Sequence, residues 1–458
     1  MTTHPVSPLR WSNIIGYGLG DMANNFAFAM GAMFLLNYYT DVAGIPAVAA
    51  GTMLAVVRIY DAVMDLVAGR VIDRTSSRWG HFRPFLLWGA APLMLLSVAV
   101  FSVPAGWSAN AKLIYIYVTY ALLGTAYSFV NIPYGALATV MTQEPHERAR
   151  LGASRSIMAV GTGCFLALVL GPVIRSAKGE ALQASLTQFT LALALIGVVL
   201  YFVCFKATRE VVARSAERPK LKESLATLLV NRPLLILCAC ALCLLGGLFS
   251  MSAASLYYAR YVLGDPGKFV QIVLITNLFG TLLGAPLSPL LVRRLGKKGV
   301  FLLGSSVAAL AYLILFFSAA PSFTGVLGLL GLASVGTMLS MSVMWAIEAD
   351  TVEYGEWRCD VRIEGLTYSF FSFTRKCGQA LGGSLPAFLL AAGGYVPNAA
   401  VQSEAAQLAI RQSMALTPAV AFTVAFVLML FYPLTDQRFA ELVREIRARR
   451  NAGCVVSC

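Results

Sequence analysis

Twelve apolar stretches recur along this chain, each about twenty residues or longer and separated by short charged connections. That repetition constrains the fold more than any other feature, because ~20 apolar residues in a helix span the hydrocarbon core of a bilayer. The stretches fall near 13–40, 46–70, 84–104, 111–134, 151–174, 186–205, 234–262, 269–292, 299–318, 323–349, 364–393 and 412–433. Only 12% of the 458 residues are charged, half the share of a soluble domain at roughly 25%. Most of the surface must therefore meet lipid. In lipid every backbone polar group has to be satisfied within the protein, which selects helices. The expected fold class is an all-α membrane protein.

The net charge of +13 is a matter of topology. Of 35 Lys and Arg, 24 lie at the termini or in connections after even-numbered spans, and six lie on the opposite side. This positive-inside bias puts both termini in the cytoplasm and requires an even number of spans. The basic surplus thus implies no nucleic-acid partner. None of the nine cysteines falls in an outer connection, where an oxidising compartment pairs thiols. Cys238-x-Cys240 has no further ligands at zinc spacing, so no metal is expected. The chain does not open on a short apolar core with a small-residue cleavage site, and span 1 is expected to stay in the mature protein.

The longest hydrophilic connection, 206–233, lies near the middle with six spans on each side. The expected organisation is a six-helix half over 1–205, a central cytoplasmic loop over 206–233, a second six-helix half over 234–433, and a cytoplasmic tail over 434–458. Two six-helix halves joined by a charged loop resemble the major facilitator superfamily, whose members bind substrate near the midplane. The segment 436–450 has the spacing of an amphipathic helix and reads as solvated or headgroup-bound.

Charges within spans point to function. Arg58, Asp61 and Asp65 fall within an arc of about 60° on one helix face. Each charge at a bilayer centre costs about 2.5–3.5 kcal/mol, so the face must look into the protein or into water. Two carboxylates one turn apart repel, and one takes up a proton or cation unless Arg58 neutralises it. The face reads as a cation-coupling site; its structural alternative is a fixed ion pair holding the bundle. Span 1 carries Tyr17, Asp21, Asn24 and Asn25, and span 4 carries Tyr127, Ser128 and Asn131. Amides that exchange hydrogen bonds with hydroxyls, beside aromatic rings, suit a sugar; polar glue between helices is the other reading. Span 11 carries Tyr368, Ser372, Arg375 and Lys376, and Arg155 opens span 5. Arg375 and Lys376 point about 100° apart, so one of them is expected to line the site and the other to pair with an acid. A cation-rich connection at 73–84 and an acid-rich one at 348–356 are candidates for gate ion pairs. All three histidines lie outside the spans, which leaves carboxylates as proton carriers.

These residues are similar to the glycoside-pentoside-hexuronide:cation symporters. The resemblance rests on Tyr39-Thr40-Asp41-Val42, the Arg58, Asp61, Asp65 face, Arg78-Trp79-Gly80-His81-Phe82-Arg83-Pro84, Ala349-Asp350-Thr351-Val352-Glu353-Tyr354-Gly355-Glu356, and Lys376. It covers nearly the whole chain and looks closest to the glucuronide-carrying branch, on the runs 16–44, 131–143, 344–356 and 362–388. The resemblance implies that Asp61 and Asp65, with Arg58, handle the coupling ion. Asn25 and Asn131 stand where the melibiose-transporting type has aspartates, and Gly135 where it has a tryptophan. Losing two carboxylates while keeping Arg155 and Lys376 suits an anionic sugar. Met64 stands where that type has an asparagine that helps select sodium, and a thioether is a poor ligand for a hard cation.

The expectation is therefore a proton-coupled symporter importing glucuronides across a bacterial inner membrane. Asp21, Asn25, Tyr127, Ser128, Asn131, Arg155, Ser372 and Lys376 form the substrate site. Its partners are a small sugar glycoside and membrane lipid, with no obligate protein partner and no cofactor beyond the coupling ion. A sodium-coupled carrier of neutral pentosides or hexosides is the nearest rival. A membrane sensor or embedded enzyme is more distant, since the sequence offers no nucleophile with a base, no metal cluster and no phosphate loop.

Overall fold

A computed structural model of the chain describes residues 9–75, 77–142, 144–176, 179–211, 228, 230–318, 322–359 and 364–452. Among the described residues the regular structure is helical, with one isolated bridge between Ser77 and Gly80. Among the described residues, eight helices are long and apolar enough to cross a membrane. One of them, Lys268–Phe317, is 50 residues long and covers two expected spans. Gly296, with φ of 71°, divides it, a left-handed conformation that glycine adopts without the steric cost of a Cβ. Arg83–Ala99 is apolar but shorter, and the first and eleventh expected spans form helices that begin at Trp11 and Glu364. The protein is an all-α, multi-pass membrane protein.

The helices are α1 (Trp11–Met30, continued by π-helical turns Gly31–Leu35 and Tyr38–Val42), α2 (Ala47–Arg74), α3 (Arg83–Ala99), α4 (Ala109–Met141), α5 (Pro145–Ser176) and α6 (Gly179–Ala207). After the central connection come α7 (Arg232–Tyr257), α8 (Lys268–Phe279), α9 (Ala285–Phe317), α10 (Phe323–Cys359), α11 (Glu364–Ala392), α12 (Glu404–Arg411), α13 (Thr417–Leu430) and α14 (Asp436–Ala452). Contacts divide the chain into two compact units. One comprises Met1–Ser215 with Ala259–Val270 and Gly394–Gln402; the other comprises Ala216–Tyr258, Gln271–Gly393 and Ser403–Cys458.

In the first unit α1 packs on α5 and α6, α2 on α4, and α3 on α4 and α6. The start of α3 has no side-chain cap of its own. Glu210, beyond the end of α6, supplies one: its carboxylate accepts the backbone N–H groups of His81 (2.8 Å), Phe82 (2.8 Å) and Arg83 (3.0 Å). An anion at a helix N-terminus satisfies orphan donors and meets the positive end of the dipole.

In the second unit α9 packs on α10, and α7 packs on α11 and α13. Asn231 caps α7 through Leu234 N–H at 3.1 Å and donates to Thr351 O at 2.8 Å. The acid-rich segment meets a cation within this unit, since Asp350 pairs with Lys297 of α9. The tail, expected as an amphipathic helix that is solvated or headgroup-bound, packs on the protein. It folds as α14 against α10, with Leu442 and Ile446 buried, because residues four apart present one apolar face. The Trp357 indole N–H also donates to Glu445 at 2.7 Å.

Candidate functional site

The first unit gathers most of the residues singled out in the sequence. On α1, Asp21 is buried and Arg155 of α5 reaches it, with Nε 3.1 Å from Oδ1. Asn25, one turn on, donates to the Asp21 carbonyl at 2.9 Å and to its carboxylate at 3.1 Å. The Arg155 guanidinium also lies over the Tyr134 ring at 5.0 Å. Tyr134 in turn stacks on Tyr17 at 4.8 Å, and each hydroxyl donates to the other residue's carbonyl. Asn24 faces elsewhere: its side chain accepts from the Tyr201 hydroxyl of α6 at 2.6 Å, which makes it helix glue.

A second cluster joins α2 to α4. Arg58 Nη1 lies 3.9 Å from Asp61 Oδ2, one turn along α2. The guanidinium is 5.8 Å from both the Phe28 and Tyr120 ring centres, a cation-π arrangement that offsets part of its desolvation. Asp61 is buried against Gly124 of α4, and a Cβ at that glycine would overlap the carboxylate. A bare backbone is thus what admits the acid between the helices. Asp65 lies half-buried one turn further along α2.

Tyr127 links the two clusters. Its ring stacks on Phe28 at 5.7 Å, and it stands within electrostatic reach of Asp21, Arg155, Arg58 and Asp65. Asn131 is half-buried and Ser128 fully buried on the same helix. Asn25, Asp21, Arg155, Arg58, Asp61 and Tyr127 are thereby brought into one continuous set on α1, α2, α4 and α5. Among the described residues, no group of three or more His, Cys, Asp or Glu side chains is placed to hold a metal ion.

Ser372 and Lys376 belong to the second unit, on α11. Both are half-buried, and Lys376 has interactions of its own. Arg375 lies between α10 and α11, with its guanidinium 4.5 Å from the Trp345 ring and 5.9 Å from Phe371. Trp345 stacks in parallel on Tyr368 at 5.5 Å. Trp345 escaped the sequence reasoning, as an aromatic residue in an apolar span carries no periodic signal.

Asp41 stands out in the sequence only through the Tyr39-Thr40-Asp41-Val42 motif. At the end of α1 its Oδ1 accepts from the Tyr395 hydroxyl at 2.6 Å and from Asn398 N–H at 3.1 Å. The Tyr261 hydroxyl lies 3.4 Å away. An acid at the mouth of a span, in a sequence that keeps few acids, was the available signal.

A bundle of long apolar helices with ion pairs and aromatic rings in its interior suits a membrane carrier. The comparisons give the family. The model for the MFS/sugar transport protein family matches residues 16–436, and the chain belongs to that family. It is a transporter of the sugar-symporter type, not an enzyme. The chain is 55% identical over 442 residues, 96% of each protein, to the glucuronide carrier protein homolog of Escherichia coli (strain K12). It is 33% identical over 454 residues to the putative sulfoquinovose importer of Salmonella typhimurium, covering 95% of this chain and 93% of that protein. It is likewise 33% identical over 445 residues to the isoprimeverose transporter of Lactiplantibacillus pentosus, covering 94% and 91%. Among solved structures, the nucleoside transporter NupG matches at 13% identity with a TM-score of 0.61, over 93% of this chain and all of that one. A bacterial homologue of the human drug peptide transporters PepT1 and PepT2 matches at 16% identity and a TM-score of 0.63, over 92% and 98%. These two likenesses establish the fold alone.

Proposed function

We propose that this protein is a proton-coupled symporter that imports glucuronides by alternating access, with twelve crossings of a bacterial inner membrane and both termini in the cytoplasm. The observation that carries the reading is the pair of Arg58 and Asp61, 3.9 Å apart and wedged against Gly124. Protonation of Asp61 removes the countercharge of Arg58, and deprotonation restores it. Through Phe28, Arg58 is in ring contact with Tyr127, which lies within reach of Asp21 and Arg155. A proton on α2 therefore shifts the charge balance where Asn25, Tyr127, Ser128 and Asn131 meet the sugar hydroxyls. Met64, a poor ligand for a hard cation, favours a proton over sodium. The anionic substrate is supported by the interior cations Arg155, Arg375 and Lys376 and by the 55% identity to a glucuronide carrier homolog.

The test is uptake of a labelled glucuronide into vesicles holding the purified protein, under imposed pH or sodium gradients. Accumulation should follow an inward proton gradient, and Asp61→Asn should abolish accumulation while leaving exchange across the membrane. Accumulation driven by sodium at fixed pH overturns the coupling. Equal uptake of the matching neutral glucoside overturns the substrate.

A further inference from the structure

The interior cations of this protein differ in what they face. Arg58 has Asp61 and Arg155 has Asp21 as carboxylate partners, while Lys376 has interactions of its own. Arg375 has none of these. Among the described residues no carboxylate pairs with it, and its Nε is buried without a hydrogen-bond partner. What holds it is aromatic: the guanidinium lies on Trp345, with Phe371 at its edge. Trp345 itself is fixed between the stacked Tyr368 ring and the perpendicular Phe371 ring, at 5.5 and 5.3 Å. A charge within an apolar helix bundle is costly without compensation, and a buried N–H left unsatisfied adds to that cost. A carrier that keeps such a group must satisfy it in some state of its cycle.

We propose that Arg375 is the specificity-determining residue for the substrate carboxylate, with the Trp345 ring positioning its planar fork. This rests on the glucuronide reading above and says which cation does the recognising. A carboxylate matches a guanidinium through two parallel N–H···O bonds, and stacking on Trp345 fixes the plane in which they form. Arg155 already has the Asp21 carboxylate as its countercharge, which leaves less of its charge for a second carboxylate. Tyr368 and Trp345 remain partly exposed, at 53% and 39%, and offer ring surface beside the fork.

The experiment is equilibrium binding of a glucuronide and its neutral glucoside to the purified protein, in wild type, R375Q and R375K. Wild type should prefer the glucuronide. R375Q should bind it about 10- to 100-fold more weakly, the worth of a charge-assisted hydrogen-bond pair, and lose the preference. R375K, which keeps the charge but not the fork, should fall between, and it serves if R375Q does not fold. A wild type that discriminates, with R375Q or R375K discriminating equally well, overturns the role of Arg375 alone. A wild type that makes no distinction between the two sugars overturns the glucuronide reading, and this proposal with it.

Discussion

Arg155 Nε lies 3.1 Å from Asp21 Oδ1, and Asn25 donates to the same carboxylate. The cation that α5 brings into the first unit thus arrives with its countercharge, which makes the pair part of the helix packing as well as of the site. Asp21→Asn leaves Arg155 in the interior without that charge. The expected cost is about 1–3 kcal/mol, below the range for fully buried pairs because the Arg155 side chain is 35% exposed. Unfolding of the detergent-solubilised protein should show that loss. The double variant Asp21→Asn, Arg155→Gln should be more stable than the sum of the single effects predicts, the signature of direct coupling. Strict additivity would show that the two residues act independently.

Gly124→Ala isolates the role of Asp61 without touching its chemistry. In a helix interior alanine is favoured over glycine by roughly 0.8–1 kcal/mol, so propensity alone would stabilise α4. The added Cβ, however, overlaps the Asp61 carboxylate and must push it away from Arg58. The expected result is a folded protein whose proton-driven accumulation of sugar falls at least about 10-fold, on the scale of a lost charge-assisted interaction. Unchanged accumulation in Gly124→Ala would mean that the Asp61 position is not tied to coupling.

Much of this was legible in advance, and the boundary follows physical lines. The helical, membrane-spanning fold comes from a local quantity, apolar length. The common face of Arg58 and Asp61 comes from a fixed rotation of about 100° per residue. Periodicity says nothing about which helix receives that face, so Gly124 and Tyr120 could not be named as its neighbours. The same limit applies to Arg375 and Lys376. Their divergence around α11 was legible, but that Trp345 takes Arg375 is a tertiary fact. Asp41 is the extreme case, since its partners Tyr395 and Asn398 lie more than 350 residues away in sequence. The tail is a partial case: the spacing at 436–450 is that of an amphipathic helix, solvated or headgroup-bound, and which helix takes its apolar face, with Leu442 and Ile446 buried, is again a tertiary fact.

Asp41 gathers the stretches 259–270 and 394–402 onto the end of α1. Its Oδ1 accepts the Asn398 amide at 3.1 Å and the Tyr395 hydroxyl at 2.6 Å. Asn398 has a positive φ of 58°, which an asparagine tolerates but which needs support from its surroundings. Asp41→Ala removes the acceptor for both donors. Hydrogen exchange across 394–402 should accelerate about 10-fold or more, as expected when a charge-assisted bond worth about 1.5–3 kcal/mol no longer opposes local opening. Tyr395→Phe should give a smaller acceleration, since the Asn398 amide keeps its acceptor. Equal protection in wild type and Asp41→Ala would show that backbone packing holds these stretches.

Glu210 offers the cleanest separation of charge from shape. Its two oxygens take three backbone N–H groups at the start of α3, and Arg83 is meanwhile turned to the Phe205 carbonyl, with Nη2 at 2.7 Å. The arrangement needs Gly80, whose φ of 107° is forbidding to other residues and at which a Cβ would strike the Glu210 carboxylate. Glu210→Gln keeps one acceptor oxygen and loses the charge, so it should lower stability by about 0.5–1 kcal/mol through the helix dipole and weaker hydrogen bonds. Glu210→Ala leaves all three donors without their acceptor and should cost about 1–3 kcal/mol. Thermal unfolding of the two variants should rank wild type above Glu210→Gln above Glu210→Ala. If Glu210→Gln proves as damaging as Glu210→Ala, a single amide oxygen does not replace the carboxylate at the N-terminus of α3.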